Sequence, residues 1–214
     1  MISATILAAV VVELFTSQGC SSCPPADALL HELRKDPNVI PIAYHVDYWN
    51  YLGWRDPFSS HDWTARQMMY QRAFKLGSSY TPQVVVNGTR EMIGSNESQV
   101  RAAINEAAQT GSIATVNVSF DQGDAVVTVK APRAGLHLIV VTTEDGIVTK
   151  IERGENRGLS LTNDSVARSL TRFPNLAAGP TTQRIMLDQK RGSVIAMLQD
   201  PETLRIVAAT SAKL

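Results

Sequence analysis

An apolar, strand-like run that leads into a Cys-x-x-Cys motif is the feature that most constrains the fold of this chain. Residues 10–15 precede a turn-rich segment that holds Cys20 and Cys23, the only two cysteines among 214 residues. Pro24 and Pro25 then open a helical pattern. A strand, a short loop with two thiols and a helix form the order typical of a dithiol redox site.

Two cysteines leave few structural uses for the pair. They cannot build a disulfide framework or a four-thiolate zinc site, but they can form one short-range, reversible disulfide. Because so small a loop constrains the unfolded chain only weakly, such a disulfide adds little stability. The cysteine count therefore favours a reactive role over a structural one.

Length and charge set the class of protein. The chain is long enough for one large domain or two modest ones, and 44% hydrophobic residues are ordinary for a folded protein. The formal net charge is zero and no basic run is interleaved with aromatics, which argues against nucleic acid or an acidic membrane surface as a partner. No apolar run approaches the ~20 residues of a membrane-spanning helix.

The apolar start of the chain has two interpretations. Residues 2–12 resemble the hydrophobic core of a signal peptide, but the first Lys or Arg is Arg34, so the cationic segment is missing. Residues 10–15 are also needed as the strand before the cysteines. We therefore expect a mature chain without a complete signal peptide.

The segment after the motif predicts a helix and a second strand. Apolar residues recur at helical spacing over 26–33, and the two prolines favour a helix start near Pro25, with Cys23 at its edge and Cys20 outside it. Residues 39–46 then read as a strand parallel to the first. Its carboxyl end would place His45 beside the dithiol.

Residues 44–80 hold ten of the thirteen aromatic residues. Their spacing predicts a helical insertion over about 50–79. These aromatics could be the core of the insertion, or Trp49, Tyr51 and Trp54 could line a groove over the cysteines. After the insertion, Asn87-Gly88 predicts a hairpin turn, and Asn96 is expected to cap a helix that ends at Gly111.

From residue 113 onward the hydrophobic period changes to two. Eight short alternating runs separated by turns, with no helical pattern, predict an antiparallel β-sandwich. The expected fold class is therefore α/β plus all-β. It comprises a thioredoxin-like domain with a helical insertion over 1–111, followed by a β-sandwich domain over 112–214.

Several of these segments together resemble a known family. Cys20 to Pro24 after a strand, with Thr81-Pro82 opening a later strand, resembles the thioredoxin-like fold. More narrowly, the chain is similar to a bacterial, mostly exported thioredoxin-like family catalogued as domain of unknown function 1223. The segments that carry this likeness are Glu13 to Leu30, His45 to Trp49, Leu52 to Trp54, Tyr80 to Gly88 and Gly154 to Gly158.

The resemblance implies both geometry and location. It implies a cis peptide bond before Pro82, facing the dithiol, so that the Thr81 backbone lies where it could bind an extended substrate. It also implies a periplasmic or secreted protein. Asn163 and Ala167 stand where the family usually has His and Val.

The chemistry expected of the motif is thiol–disulfide exchange without a cofactor. Cys20, as the more exposed sulfur, would attack a substrate disulfide as thiolate, and Cys23 would resolve the mixed disulfide. The helix N-terminus lowers the pKa of a thiol placed there. The partners would be a protein or small-molecule disulfide or thiol and a redox partner, both unidentified.

Two further side chains near the motif have two interpretations each. Glu13, in an apolar strand, could be a buried carboxylate of raised pKa that relays protons to Cys23, or a strand-end group that reaches solvent or accepts backbone N–H bonds. His45 could be a neutral histidine bonded within the sheet, or a general base or metal ligand. Trp49 and Trp54, with Thr81 and His45, are the expected substrate-binding residues.

Two rival functions remain open from the sequence. Cys20, Cys23 and His45 could together bind copper or zinc. Alternatively, the β-sandwich could present a partner-recognition face in a non-catalytic binding module, with a merely structural disulfide. A labile disulfide favours catalysis, whereas a strongly reducing one favours the structural role.

Overall fold

The computed structural model describes residues 9–189 and 191–214, so the signal-like residues 2–8 lie outside the described part. The chain is a mixed α/β protein with one large sheet and few helices. The helices are α1 (Pro24–Leu33), α2 (His61–Ala73) and α3 (Glu97–Ala108), with a 3-10 turn at Asn50–Leu52. The strands are β1 (Val10–Thr16), β2 (Val39–His45), β3 (Gln83–Val86), β4 (Arg90–Ile93), β5 (Thr115–Asp121), β6 (Asp124–Ala131), β7 (His137–Glu144), β8 (Ile147–Lys150), β9 (Ser160–Asn163), β10 (Val166–Phe173), β11 (Gly179–Ile185), β12 (Ser193–Gln199) and β13 (Ile206–Lys213).

The large sheet has eight strands in the order β13-β12-β7-β10-β2-β1-β3-β4. β1 and β2 run parallel, as expected for two strands joined by a helix, and β3 lies antiparallel on the other side of β1. β1 is buried along its whole length because helices cover both faces of the sheet. Its carboxyl end therefore delivers the cysteine loop to the sheet edge, where ligand sites of α/β proteins form.

The start of α1 confirms the prediction from the prolines. The helix begins at Pro24, Cys23 is the residue immediately before it, and Cys20 lies outside it. Proline fits this first turn because the N–H that it lacks has no partner within the helix. The carboxylate of Asp27, also in the first turn, suits the positive end of the helix dipole.

Alternation along β1 assigns its side chains to two separate cores. Val10, Val12 and Leu14 pack in the hydrophobic cluster that includes α1 and α3. Val11 and Phe15 pack in the cluster on the other face, which includes Trp63 and Tyr70 of α2. Glu13 has the same parity as Val11 and Phe15, so it projects toward α2.

The insertion and the hairpin form as the sequence indicates. α2 begins after Ser60, whose hydroxyl accepts a hydrogen bond from the N–H of Asp62, and α3 is capped by Asn96. Asn87 and Gly88, both at positive φ, turn β3 into β4. Trp63 and Tyr70 are core residues, whereas Trp49 and Trp54 are only half-buried.

In the described residues after α3, nine strands are divided among three sheets. β7, β10, β12 and β13 extend the large sheet, β5, β6 and β11 form a second sheet, and β8 pairs with β9. A third hydrophobic cluster joins the three-stranded sheet to β7 and β12. β10 meets β2 in parallel at Val166 and Ala43, so strands from both sides of residue 111 share one sheet. The short strand β9 was not predicted, because its four residues are mostly polar.

In the part of the chain that the structure describes, no helix combines the length and apolar character needed to cross a membrane.

Candidate functional site

The disulfide lies at the entrance of α1, just beyond the carboxyl end of β1. Cys20 and Cys23 are joined, with their Cα atoms 5.5 Å apart. The N–H of Cys23 donates to the carbonyl of Cys20 at 3.2 Å, and the N–H of Cys20 donates to the carbonyl of Ser17 at 3.1 Å. Two successive turns therefore carry the chain from the strand to the helix with both sulfurs on one side.

Both cysteines are buried, which corrects the expectation that Cys20 is exposed. Cys20 is 1% exposed and Cys23 is 0% exposed, and only Ser21 and Ser22 between them reach solvent. The expectation was wrong because loops distant in sequence pack around the motif. The exposure argument for the order of attack therefore does not hold.

The loop before β3 covers one side of the disulfide. The peptide bond between Thr81 and Pro82 is cis. The Cys20 sulfur lies 3.9 Å from the Thr81 carbonyl oxygen. Trp49 Nε1 donates to Thr81 Oγ1 at 2.8 Å, and a Cβ placed on Gly19 would come within 3.2 Å of the Trp49 Cβ. Trp49 thus bridges the two segments that flank Cys20.

A buried glutamine of α2 holds this loop in place. Gln67 Nε2 donates to the Tyr80 carbonyl at 2.7 Å and to Gln83 Oε1 at 2.9 Å. Its oxygen accepts from the Tyr48 hydroxyl at 3.1 Å, and Tyr48 has a pKa raised by burial to about 12. The insertion therefore positions the residues on both sides of Thr81-Pro82.

Gln18 links the cysteine loop to three other segments. Its side-chain oxygen accepts from Trp54 Nε1 at 3.1 Å, and its amide nitrogen donates to Asn163 Oδ1 at 2.8 Å. Its backbone N–H donates to Asp56 Oδ2 at 2.8 Å. Asn163, one of the two departures from the family pattern, thus has a defined partner beside the motif.

The loop of residues 154–158 closes over the cysteines from the β-rich half. Asn156 Nδ2 donates to the carbonyls of Gln18 and Cys20, each at 2.9 Å. The Glu155 carboxylate accepts from the N–H of Ser21 at 3.1 Å, and hydrogen bonding by Ser21 lowers the pKa of Glu155. Gly154 has a φ of +76°, a conformation that favours glycine, and a Cβ there would lie 3.2 Å from the Trp54 Cβ.

Glu13 is fully buried among side chains of α2. Its carboxylate accepts from Arg66 Nε at 2.5 Å and from the Tyr70 hydroxyl, and the Arg66 guanidinium lies over the Tyr44 and Tyr70 rings. The alternative in which Glu13 reaches solvent or accepts backbone N–H bonds is wrong, because its partners are side chains. Glu13 projects toward α2, whereas the helix that follows Cys23 packs on the opposite face.

His45 is buried in an ion pair. Its Nδ1 lies 2.7 Å from Asp56 Oδ2, and its Nε2 has no hydrogen-bond partner among residues 9–189 and 191–214. Burial alone would lower the pKa of His45, but the charge and hydrogen bond of Asp56 outweigh it and raise this pKa. Burial likewise opposes ionisation of Asp56, whose pKa is nevertheless held below its ordinary value by His45 and by the N–H groups of Gln18 and Phe58. Asp56 therefore favours the protonated form of His45, an arrangement that differs from the histidine bonded within the sheet considered from the sequence.

The three residues considered for metal binding are not grouped as metal ligands in this disulfide form of the protein. Cys20 and Cys23 are joined to each other, and His45 Nδ1 is engaged by Asp56. Within residues 9–189 and 191–214, no three His, Cys, Asp or Glu side chains are grouped as metal ligands would be.

Five side chains around the site were not singled out from the sequence. All are polar residues placed by tertiary contacts rather than by local pattern. Of these, Asn156 lies in the glycine-flanked segment shared with the family, and Asp27 was expected in the first turn of α1 but without a role at the site. The five are Gln18, Asp27, Asp56, Gln67 and Asn156.

Comparisons with known proteins show a family match and two similar proteins. A family model described as protein of unknown function (DUF1223) matches residues 11–199. The chain is similar to a thioredoxin from Methanocaldococcus jannaschii, with 33% identity over 85 residues, which cover 40% of this chain and 79% of the thioredoxin. It is also similar to a crystal structure of a protein from Agrobacterium tumefaciens, with 26% identity, a TM-score of 0.82 and coverage of 97% of this chain and 95% of the other.

Proposed function

Because the chain belongs to the family of proteins of unknown function DUF1223, whose description assigns no activity, we propose a function from the site itself. The protein is a thiol–disulfide oxidoreductase that cycles Cys20 and Cys23 between disulfide and dithiol. The observation that carries the proposal is the disulfide at the start of α1, with the Cys20 sulfur 3.9 Å from the Thr81 carbonyl oxygen. The similarity to a thioredoxin supports the same class of chemistry.

Cys20 is the attacking sulfur in this proposal. It lies outside α1 and beside the Thr81 loop, whereas Cys23 is the residue from which the helix starts. In the reduced protein, the Cys20 thiolate attacks a substrate disulfide and displaces one substrate thiolate. The Cys23 sulfur then attacks Cys20, reforms the disulfide and releases the second substrate thiolate. A separate redox partner restores the dithiol.

The substrate is a protein or small-molecule disulfide that reaches Cys20 past Trp49. Because Cys20 is only 1% exposed, the bond between Trp49 Nε1 and Thr81 Oγ1 has to open for a substrate sulfur to enter. The Thr81 backbone then offers hydrogen bonds to an extended substrate segment. Trp54, half-buried beside Gln18, lines the same approach.

In this proposal the two halves of the chain have different roles. Residues 1–111 act as the thioredoxin-like unit with its helical insertion, and residues 112–214 act as a β-sandwich that supplies the 154–158 loop. Asn156 and Glu155 in that loop support this role, since both contact the cysteine segment. The resemblance to mostly exported bacterial proteins supports a periplasmic or secreted location, where a disulfide persists.

A disulfide-reduction assay tests the proposal. With dithiothreitol as electron donor, wild type is expected to accelerate the reduction of insulin disulfides, and Cys20→Ala is expected to abolish the acceleration. Asp188→Asn, an exposed change distant in sequence from the motif, serves as the control and should behave as wild type. A wild-type rate no faster than dithiothreitol alone, or full activity in Cys20→Ala, would overturn the proposal.

A further inference from the structure

Asp27 is a half-buried carboxylate one helical turn beyond Cys23. Its N–H donates to the Cys23 carbonyl at 3.1 Å, so the two side chains occupy neighbouring positions on one face of α1. One side of Asp27 lines a cleft of about 450 Å³ between α1 and β9, bordered by Pro24, Ala28 and Leu161. Asp27 therefore lines a space open to solvent one helical turn beyond Cys23.

Asp27 is close enough to Thr16 and His45 for both side chains to act on its pKa. Within the described residues, neither Thr16 Oγ1 nor His45 Nε2 has a partner at hydrogen-bond distance, so the Thr16 hydroxyl acts on Asp27 from farther away; both residues are about 1% exposed or less. Thr16 and His45 are paired in register at the ends of β1 and β2, and their parity turns both toward α1. Burial raises the pKa of Asp27 to about 6, while the charge of His45 and the Thr16 hydroxyl act to lower it.

These contacts leave Asp27 better placed than Glu13 to exchange protons with the dithiol. Glu13 is held by Arg66 and Tyr70 on the α2 face. Asp27 makes no salt bridge in the described part of the chain and has access to solvent through the cleft. A carboxylate that titrates near neutral pH is suited to take a proton and return it to water.

We propose that Asp27 is the proton acceptor for the Cys23 thiol in the resolving step. In this proposal Asp56 positions His45, and the charge of His45 acts on the Asp27 carboxylate. This inference rests on the proposed oxidoreductase function. As the Cys23 sulfur attacks Cys20, its proton passes to the Asp27 carboxylate. The bond between Cys20 and the substrate sulfur breaks, the substrate leaves with the electron pair as thiolate, and Asp27 releases its proton to water in the cleft.

The charged and polar groups around Asp27 come from the strands and helices packed against it. β2 contributes His45, and the segment before α2 contributes Asp56, which acts to raise the pKa of Asp27. β1 contributes only the Thr16 hydroxyl, and β9 contributes neutral residues. The remaining titratable groups that line the cleft are His31 and Glu32 of α1 and Asp164, which is paired with His31 at 2.6 Å.

Stopped-flow oxidation of the reduced protein by dithiobis(nitrobenzoate) tests the inference. Attack by Cys20 releases one coloured thiolate, and attack by Cys23 on the mixed disulfide releases the second. The Cys23→Ser variant cannot make the second release, so it identifies the first. We expect Asp27→Asn to leave the first release unchanged and to slow the second by about 10²-fold or more. Asp27→Glu keeps a carboxylate and should slow the second release less, and Asp188→Asn is the matched control.

The pH profile of the second release separates positioning from structural roles. In wild type this rate should rise with an apparent pKa near that of Asp27, and in Asp27→Asn that transition should disappear. His45→Gln should move the transition to higher pH, because the neighbouring positive charge is lost. Equal rates of the second release in wild type and Asp27→Asn, or equal slowing of both releases, would overturn the inference. If wild type released no coloured thiolate through Cys20, the proposed function itself would fail.

Discussion

The imidazole of His45 and the carboxylate of Asp56 form a buried ion pair, with 2.7 Å between Nδ1 and Oδ2, and the same carboxylate oxygen accepts the N–H of Gln18 in the cysteine loop. The pair therefore ties the end of β2 to the segment that carries the disulfide. Removing one partner of such a pair leaves the other charge buried without compensation, at a cost of about 3–5 kcal/mol.

The stability contributed by His45 should depend on pH. Its pKa is raised in the folded protein, so its contribution is fully present below the unfolded value of 6.5 and is lost as pH rises through the folded value. We expect Asp56→Asn to lower the free energy of unfolding more at about pH 5.5 than at about pH 9. Urea denaturation at the two pH values measures this difference, and a loss of equal size at both would contradict the assignment.

Glu13 and Arg66 should act as a structural pair in the core. Arg66→Met leaves the Glu13 carboxylate buried beside Tyr70 alone, and we expect it to cost about 3 kcal/mol or more of unfolding free energy. The matched control is Arg101→Met, which breaks an exposed pair with Glu97 and should change stability by less than about 1 kcal/mol. Chemical denaturation measures the unfolding free energy of both variants. Equal losses in Arg66→Met and Arg101→Met would contradict a structural role for the Glu13–Arg66 pair.

Asp27 should destabilise the folded protein as its carboxyl ionises. Its folded pKa of about 6 exceeds the ordinary 3.8, so stability falls as pH rises between these values. The difference of about two between these pKa values corresponds to about 3 kcal/mol. Asp27→Asn should restore this free energy of unfolding at pH values above about 7. The unfolding free energies of wild type and Asp27→Asn should converge near pH 4, and a constant difference across the range would contradict this prediction.

Asn156 should hold the cysteine loop closed. Asn156→Ala leaves the carbonyls of Gln18 and Cys20 without their buried donor, at a cost of about 1–3 kcal/mol. Hydrogen exchange should show faster opening at the amides of residues 18–23, whereas Asn117→Ala on an exposed strand should leave them unchanged. Unchanged exchange in Asn156→Ala would show that the 154–158 loop does not restrain the motif.

Local sequence signals predicted the elements around the site well. The prolines placed the start of α1, Asn96 placed the start of α3, and Asn87-Gly88 placed the β3–β4 turn. Each of these signals acts within a few residues, since it fixes φ or supplies a cap. Hydrophobic alternation found the strands of the second half in the same way, except the short and mostly polar β9.

The contacts that complete the site could not be read from the sequence. Glu13 bonds to Arg66, which is separated from it by 53 positions in the sequence. Gln18 bonds to Asn163, at a separation of 145 positions. Alternation shows which face a side chain occupies but not which strand lies next to it, so the parallel pairing of β10 with β2 was not foreseen. For the same reason, the burial of Cys20 depends on loops that local pattern does not place.

The most direct test of the account is the reduction potential of the Cys20–Cys23 disulfide, measured by equilibration in glutathione or dithiothreitol redox buffers. A disulfide that serves exchange chemistry should titrate within the range of thiol–disulfide oxidoreductases, about −120 to −270 mV. Cys23→Ser, which cannot form the disulfide, provides the baseline. A potential well below about −300 mV, where structural disulfides lie, would contradict the proposed function.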